Sequence, residues 1–240
     1  PESERLLTQA IESKIVDRLS AARLRQEVVH VFGESEGVAA SLCRMEELGL
    51  LGTLHPRLSF EEKDAGRLAQ VVEQVAWLQQ NGVELPALER WRLTMISLAW
   101  RLEPAEREEL ADRLGLAGED REVLLGLRQR LAATAKDLTG SRVLPHLAAR
   151  SLAHLLPEEQ VLLAAFWGGE VKTWVERWLK ELRHIELTIA GRDLLARGAI
   201  PGPTIGAVLA ATLDARLDGV IGADEELSYA TELLEKVNRK

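Results

Sequence analysis

Apolar side chains recur at steps of three and four along most of this 240-residue chain. Three runs illustrate the spacing: Leu68, Val72, Val75 and Leu78; Trp91, Met95, Leu98 and Leu102; and Leu124, Leu127, Leu131 and Leu138. Such steps place each run on one face of an α-helix. No convincing alternating run of β-branched residues is present. The sequence therefore predicts an all-α fold.

Several helix ends are also legible in the sequence. Ser20 is placed to cap a helix that runs to about Phe32, where Gly33 stops it. Pro104 and Pro157 each precede glutamates, and proline is tolerated in the first turn of a helix, where acidic groups are favourable. We expect helices to begin at both prolines.

The charge of the chain is uneven. The formal net charge is −8 with a pI near 5.3, which alone argues against a nucleic-acid-binding protein. Residues 121–150, however, hold six basic and two acidic side chains, a net charge of +4. Because salt screens charges beyond about 10 Å, a local basic face still attracts a polyanion. The candidate contacts in this stretch are Arg128, Arg130, Lys136, Arg142 and Arg150. The alternative is a solvated helix face.

Cysteine usage and hydropathy bear on the compartment. Cys43 is the only cysteine, so a disulfide within the chain is excluded and a reducing, cytoplasmic setting is expected. Cys43 lies among apolar residues and is expected to pack as a small hydrophobe. No apolar run is long enough to span a bilayer, so no membrane partner is expected. The start, Pro1–Glu4, lacks an initiator methionine and suggests a segment of a longer protein.

No complete catalytic arrangement is visible. The five histidines show neither zinc-peptidase spacing nor a following aspartate, and no phosphate-binding Gly-x-x-x-x-Gly-Lys loop occurs. The acidic runs Glu61-Glu62, Glu158-Glu159 and Gly222–Glu226 are interpreted as helix starts, with the carboxylates placed for the helix dipole. We therefore predict no catalytic residue, metal or cofactor in this chain.

The most informative segment is 191–209. It predicts a short helix, a glycine stop at Gly198, a tight turn at 201–203 and a second helix with Pro203 at its first position. The amides near Thr204, Ile205 and Gly206 would then point outward and bind a phosphate. Candidate contacts are Arg192, Arg197, Gly202, Thr204 and Gly206. Two alternatives stay open: a helical corner whose glycines only permit close packing, and a helix-hairpin-helix.

Several of these residues also match a known family. One set resembles the tail of class II tRNA nucleotidyltransferases and bacterial poly(A) polymerases. It consists of Gly191-Arg192-Asp193-Leu194, Gly198, Pro201-Gly202-Pro203, Gly206, Leu209, Leu217-Asp218-Gly219 and Glu226-Leu227. The segment that follows the family's neck is resembled by Leu19-Ser20, Arg23, Arg25, Glu27, Leu48-Gly49-Leu50-Leu51, Leu54 and Pro56. The resemblance thus covers both ends of the chain.

The resemblance implies an elongated multi-helix array from a seahorse-shaped enzyme. Residues 1–59 would be the neck remainder and the start of the body, 60–156 the helical body, and 157–240 the tail. This part would hold the acceptor stem and elbow of tRNA, or another structured RNA. The parent enzyme would use Mg²⁺ with ATP or CTP at a catalytic head, whose Asp-x-Asp pair is absent here. The chain alone is expected to be inactive.

A helical protein-interaction or oligomerisation scaffold is the alternative function. The net acidity and six tryptophans fit such a role, and a homo-oligomer is one form of it. Trp167, Trp174 and Trp178 are expected to cluster, either as an exposed patch or in the core. A free-standing enzyme with an unrecognised site is the third alternative, and the absence of paired catalytic groups argues against it.

Overall fold

A computed structural model describes residues 18–34, 37–140 and 142–238. Within these ranges the chain forms thirteen α-helices and two short 3₁₀ turns, with no strand. The helices are α1 (Ala21–Phe32), α2 (Val38–Glu47), α3 (Leu50–Leu54), α4 (Glu62–Gln80), α5 (Arg90–Ala99), α6 (Pro104–Arg113), α7 (Gly118–Asp137), α8 (Pro145–Ala153), α9 (Pro157–Trp167), α10 (Gly169–Lys180), α11 (Gly191–Leu195), α12 (Pro203–Leu217) and α13 (Glu226–Asn238). The 3₁₀ turns are Leu182–His184 and Ala223–Glu225. The all-α prediction is confirmed.

The predicted helix ends are confirmed as well. The Ser20 hydroxyl accepts a hydrogen bond from the Arg23 amide at 3.3 Å, and α1 ends at Gly33. Helices α6 and α9 begin at Pro104 and Pro157. Local chemistry therefore determines these boundaries, because the cap and the proline need only their immediate neighbours.

The chain divides into two compact units. The first unit consists of residues up to Ala133 together with Leu156–Gly168. Its core is built from fully buried side chains of α1, α2, α3 and α6, such as Phe32, Leu42 and Leu110. Helix α9 is buried on all sides from Glu158 to Ala164 and packs on α4, which is typical of a helix inside a core.

The second unit consists of Thr134–Leu155 and Gly169–Lys240. Helices α11, α12 and α13 share one apolar cluster, in which Leu194 and Ala230 are fully buried. Trp174 and Trp178 of α10 pack half-buried against a second cluster around Leu182. The unit's core is thus built from residues far apart in the sequence.

Three packing predictions require correction. Leu68 and Leu78 of α4 are buried as predicted, but Val72 is 52% exposed and Val71 takes its place in the buried face. Cys43 is exposed and does not pack as a small hydrophobe. The three tryptophans expected in one cluster are divided between the units: Trp167 contacts Trp100 inside the first unit, and Trp174 and Trp178 belong to the second. The side chain of Leu127 lies outside the described part of the chain.

The predicted division at 59/60 and 156/157 follows the regions of the resembled family. The two compact units are defined by packing instead, so that division stays a prediction. Residues 1–17, on which part of its first region falls, lie outside the described residues. Of the described helices, none combines the length and the apolar character that crossing a membrane requires.

Candidate nucleic-acid interface

A helical corner in the second unit carries the residues of the 191–209 segment. Helix α11 ends before a turn in which Gly198 adopts φ +88°, and the Ala199 amide donates to the Leu194 carbonyl at 3.1 Å. Glycine favours this left-handed conformation because it has no side chain. Helix α12 then begins at Pro203, with Gly202 at its N-cap. The predicted helix, glycine stop and second helix are confirmed.

The glycines of this corner differ in their surroundings. A Cβ atom at Gly191 would lie 3.2 Å from the Ile205 Cγ2 atom, so Gly191 permits the close approach of α11 to α12. Gly202 and Gly206 are exposed, and a Cβ atom at either position would meet nothing within 4 Å. Close packing therefore explains Gly191 but not Gly202 or Gly206.

The amides at the start of α12 are less open than expected. The Ile205 amide donates to the Gly202 carbonyl at 3.2 Å, so the prediction of an unpaired Ile205 amide is wrong. The bond forms because the first turn tightens to an i→i+3 pattern, a common feature of helix ends. Thr204 is half-buried in this turn, whereas Gly206 faces solvent. An incoming anion would meet the Gly206 side of the helix start.

Two arginines lie beside this helix start along the chain. The Arg192 side chain is 87% exposed, and its closest carboxylate, that of Asp193, is 4.0 Å away. Arg197 is exposed too, but it lies in the turn after α11 and not on the helix. Neither guanidinium is fixed by a short ion pair in the described part of the chain. Both side chains are free to reach an external anion.

The basic stretch 121–150 is partly neutralised by acids from outside it. Arg121 pairs with Asp112 at 2.6 Å, Arg130 with Glu159 at 2.6 Å, and Arg150 with Asp214. Arg128, Lys136 and Arg142 are exposed and have no carboxylate partner among the described residues. Arg128 and Arg130 belong to the first unit and the other three candidates to the second. Their role in RNA binding stays a prediction.

The Leu217-Asp218-Gly219 motif has a structural role. Asp218 follows the last residue of α12 and accepts a hydrogen bond from the His146 amide at 3.0 Å. The Asp218 carboxylate also lies 2.6 Å from His146 Nδ1. This contact joins the end of α12 to the start of α8, where a carboxylate satisfies a free amide.

The acidic runs are held by arginines and backbone amides. Glu226 is fully buried and accepts from the Thr188 amide at 2.7 Å and from Arg216 Nε at 2.8 Å. Glu158 is fully buried as well, and it accepts from the Glu89 amide at 2.7 Å. Both stand in the first turn of a helix, as predicted, but their burial and long-range partners were not foreseen.

These carboxylates do not fit a metal ion. Both Glu226 oxygens accept bonds from Thr188 and Arg216, whereas one Glu158 oxygen accepts from the Glu89 amide and the other is buried without a hydrogen-bond partner among the described residues. A hard cation such as Mg²⁺ needs several oxygen ligands around one point. In the ranges 18–34, 37–140 and 142–238 no group of three or more histidine, cysteine, aspartate or glutamate side chains is placed to bind a metal.

The chain is 28% identical over 242 residues to the A-adding tRNA nucleotidyltransferase of Geobacter sulfurreducens, a match that covers 96% of this chain and 27% of that protein. This chain has the same fold as the Thermotoga maritima CCA-adding enzyme complexed with tRNA. The TM-score is 0.74, and the sequences are 22% identical over 99% of this chain and 56% of that one. The predicted resemblance to tRNA nucleotidyltransferases is confirmed. A CCA-adding enzyme with CTP gives TM-score 0.72 and 23% identity over 99% of this chain and 55% of that one. No model of a known protein family matches the chain.

This chain corresponds to only part of each of these tRNA nucleotidyltransferases. Nearly all of this chain matches, but it spans only 27% of the Geobacter sulfurreducens protein and just over half of the two CCA-adding enzymes. The match to the solved structures shows the fold, and it includes both compact units of this chain.

Proposed function

We propose that this chain is a tRNA-binding helical region of an enzyme that adds nucleotides to the 3′ end of RNA. The similarity to an A-adding tRNA nucleotidyltransferase supports this proposal, as does the shared fold with a CCA-adding enzyme complexed with tRNA. The region would contact the acceptor stem and elbow through phosphates and shape, because A-form RNA hides its base edges in a deep, narrow groove.

The observation that carries the proposal is that Gly202 and Gly206 are exposed although no packing contact with a described residue explains a glycine at either position. Glycine inside a helix costs about 1 kcal/mol relative to alanine, and no neighbour among the described residues requires one at position 206. A phosphate backbone that approaches the helix start would require it, because a side chain there would block contact. Exposed Arg192 and Arg197 would hold adjacent phosphates.

The chemistry of nucleotide addition is proposed to lie outside this chain. Mg²⁺ and ATP or CTP would bind residues of the parent enzyme, since the Asp-x-Asp pair expected of the catalytic head does not occur in this chain. The parent is proposed to add A or CCA, with poly(A) addition as the alternative. A cytoplasmic setting, based on the single thiol, is part of the same proposal.

Substitutions at Gly206 are expected to have different effects on the stability of the chain and on its affinity for tRNA. Alanine should raise the free energy of unfolding by about 0.5–1 kcal/mol, because it favours the helix and meets no neighbour. Gly206→Gln should weaken binding of a tRNA that lacks its 3′ CCA at least about tenfold, because its side chain fills the phosphate position. Fluorescence anisotropy with labelled tRNA and thermal unfolding measure the two effects.

Gly66 provides the matched control for this experiment. It also lies inside a helix, is exposed and would meet nothing within 4 Å as a Cβ atom. Gly66→Ala and Gly66→Gln should change stability in the same way and leave tRNA affinity unchanged. Equal affinity of the Gly206→Gln variant and the wild type would contradict the proposal.

Replacing Arg192 by alanine is expected to reduce the salt dependence of binding. Each lost phosphate contact lowers the slope of log affinity against log salt by about one. The loss should be similar for different tRNAs, because the contact reads no base. Arg23→Ala removes another exposed arginine and serves as control. A loss that depends on the tRNA sequence would contradict a phosphate contact.

A protein-interaction scaffold is the second candidate function. Leu195 and Ile200 are 42% and 79% exposed and lie in the same helical corner as Arg192. Large apolar side chains that face solvent together favour protein contacts when they form a patch. Sedimentation of the chain with and without tRNA distinguishes the candidates: self-association without RNA supports the scaffold, and a complex formed only with RNA supports the tRNA-binding role.

A further inference from the structure

An open aromatic pocket lies in the first unit, apart from the helical corner in the sequence and unused by the proposed phosphate contacts. Its volume is about 210 Å³, and it is lined by Trp100, Phe166 and Trp167 together with Arg67 and Gln70. The three aromatic side chains are half-buried, so part of each reaches solvent. Half-buried aromatic clusters are a frequent element of binding sites.

The rings meet edge to face. The centroid of Trp100 lies 4.7 Å from that of Phe166 at 72°, and 5.9 Å from that of Trp167 at 83°. The three rings are therefore not stacked face to face on one another, and each side chain is half-buried. Gln70 is exposed at the rim and carries both a hydrogen-bond donor and an acceptor.

A guanidinium lies over the Trp100 ring. The Arg128 guanidinium lies 5.9 Å from the centroid of the Trp100 ring, and within the described ranges no carboxylate pairs with it. Arg107 is buried and donates from Nε to the Leu102 carbonyl at 3.1 Å. Burial lowers the pKa of Arg107, and the charge of Arg128 lowers it further. Arg67, by contrast, is neutralised by Asp64 at 2.9 Å.

We propose that this pocket, named here the Trp100 pocket, binds one unpaired nucleotide of the RNA. The base would lie against the rings of Trp100 and Trp167, Gln70 would bond to its edge, and Arg128 would face its phosphate. The inference rests on the proposed RNA-binding function. An apolar protein segment would fill the ring surface but leave Arg128 uncompensated, so charge favours a ligand that is both aromatic and anionic.

Short oligo(A) RNA tests this proposal on the intact chain, with tryptophan fluorescence as the readout. Oligo(A) should bind and quench the emission, and an abasic strand of equal length should bind at least about fivefold more weakly. Trp167→Leu and Gln70→Ala should each weaken oligo(A) binding, the first by about fivefold to a hundredfold, the range measured for loss of base stacking. Circular dichroism verifies that each variant folds.

Trp77→Leu is the matched control, because Trp77 is another half-buried tryptophan of the first unit that does not line the pocket. It should leave oligo(A) affinity unchanged. Equal binding of oligo(A) and the abasic strand would overturn the Trp100 pocket as a base site, as would unchanged affinity of the Gln70→Ala variant. The Gly206 effect on tRNA binding would persist in that case. Loss of tRNA binding altogether would instead refute the proposed function.

Discussion

Replacing Arg92 by methionine is expected to lower the free energy of unfolding by about 3–5 kcal/mol at neutral pH, as breaking buried ion pairs does. The Arg92 side chain is 12% exposed and lies 2.7 Å from Asp120 and 3.4 Å from Glu158. Glu158 is fully buried, and one of its oxygens has no hydrogen-bond partner among the described residues. Removal of the guanidinium leaves a buried, poorly compensated carboxylate.

The pH dependence of this deficit follows from Glu158. Burial raises the pKa of Glu158 above its ordinary value of 4.5, the Glu89 amide and Arg92 oppose that rise, and Glu119 adds to it. A raised folded-state pKa gives stability that is fully present below the unfolded value and lost as the pH rises through the folded value. The deficit of the Arg92→Met variant should therefore shrink as the pH falls through the raised pKa.

Urea unfolding at several pH values measures this effect. Arg90→Met is the control, since Arg90 is a half-buried neighbour on the same helix for which the described ranges show no ion pair. Adding Glu158→Gln to the Arg92→Met variant should restore part of the stability, because the uncompensated charge is gone. A deficit that stays constant with pH, or no recovery in the double variant, would contradict the role assigned to Glu158.

Glu226→Ala is expected to lower the stability of the second unit by about 3 kcal/mol or more. The Glu226 carboxylate accepts from the Thr188 amide at 2.7 Å, from the Thr188 hydroxyl at 2.6 Å and from Arg216 at 2.8 Å. Alanine leaves these donors without their acceptor, and unsatisfied buried groups next to a charge are among the costliest changes. Thermal unfolding measures the loss.

Glu226 should respond to pH in the opposite direction from Glu158. Burial would raise the pKa of Glu226, but the bonds from Thr188 and Arg216 outweigh it and lower the pKa below 4.5. A lowered folded-state pKa gives stability that is present above the unfolded value and lost as the pH falls through the folded value.

Acid unfolding of the variants tests this sign. The wild type should lose the Glu226 contribution below about pH 4.5, the ordinary value for glutamate, whereas Glu226→Ala should lack that part of the acid transition. Asp224→Ala, a change at an exposed neighbouring acid, is the control and should behave as the wild type. Identical acid transitions of the wild type and Glu226→Ala would show that the carboxylate is not the group that titrates.

The sequence predicted features that depend on near neighbours. The cap at Ser20, the stop at Gly33 and the start of α12 at Pro203 each require only a few adjacent residues. The exposure of Gly202 also follows from its position at the N-cap of α12. The burial of Val71 in place of Val72 was less predictable, because the two side chains are equally apolar and the choice between them depends on α9, which packs on α4 from a distant segment.

Long-range pairs were beyond the reach of the sequence. Arg92 and Glu158 are separated by 66 positions, and nothing in either local pattern indicates the other. The acids of the first turns of α9 and α13 resemble ordinary helix starts, so their burial is visible only after the helices are packed. The Trp100 pocket was missed for the same reason, since Trp100 and Trp167 lie in different runs.

The order of the two units along the chain has a consequence for synthesis. The first unit needs Leu156–Gly168, but Thr134–Leu155 of the second unit leaves the ribosome before it. Four consecutive fully buried side chains, Val161–Ala164, belong to this late segment. The nascent first unit therefore stays open until α9 emerges. A chain that ends at the predicted body–tail boundary, 156/157, would lack α9. Its first unit would expose apolar core surface, which chaperones bind.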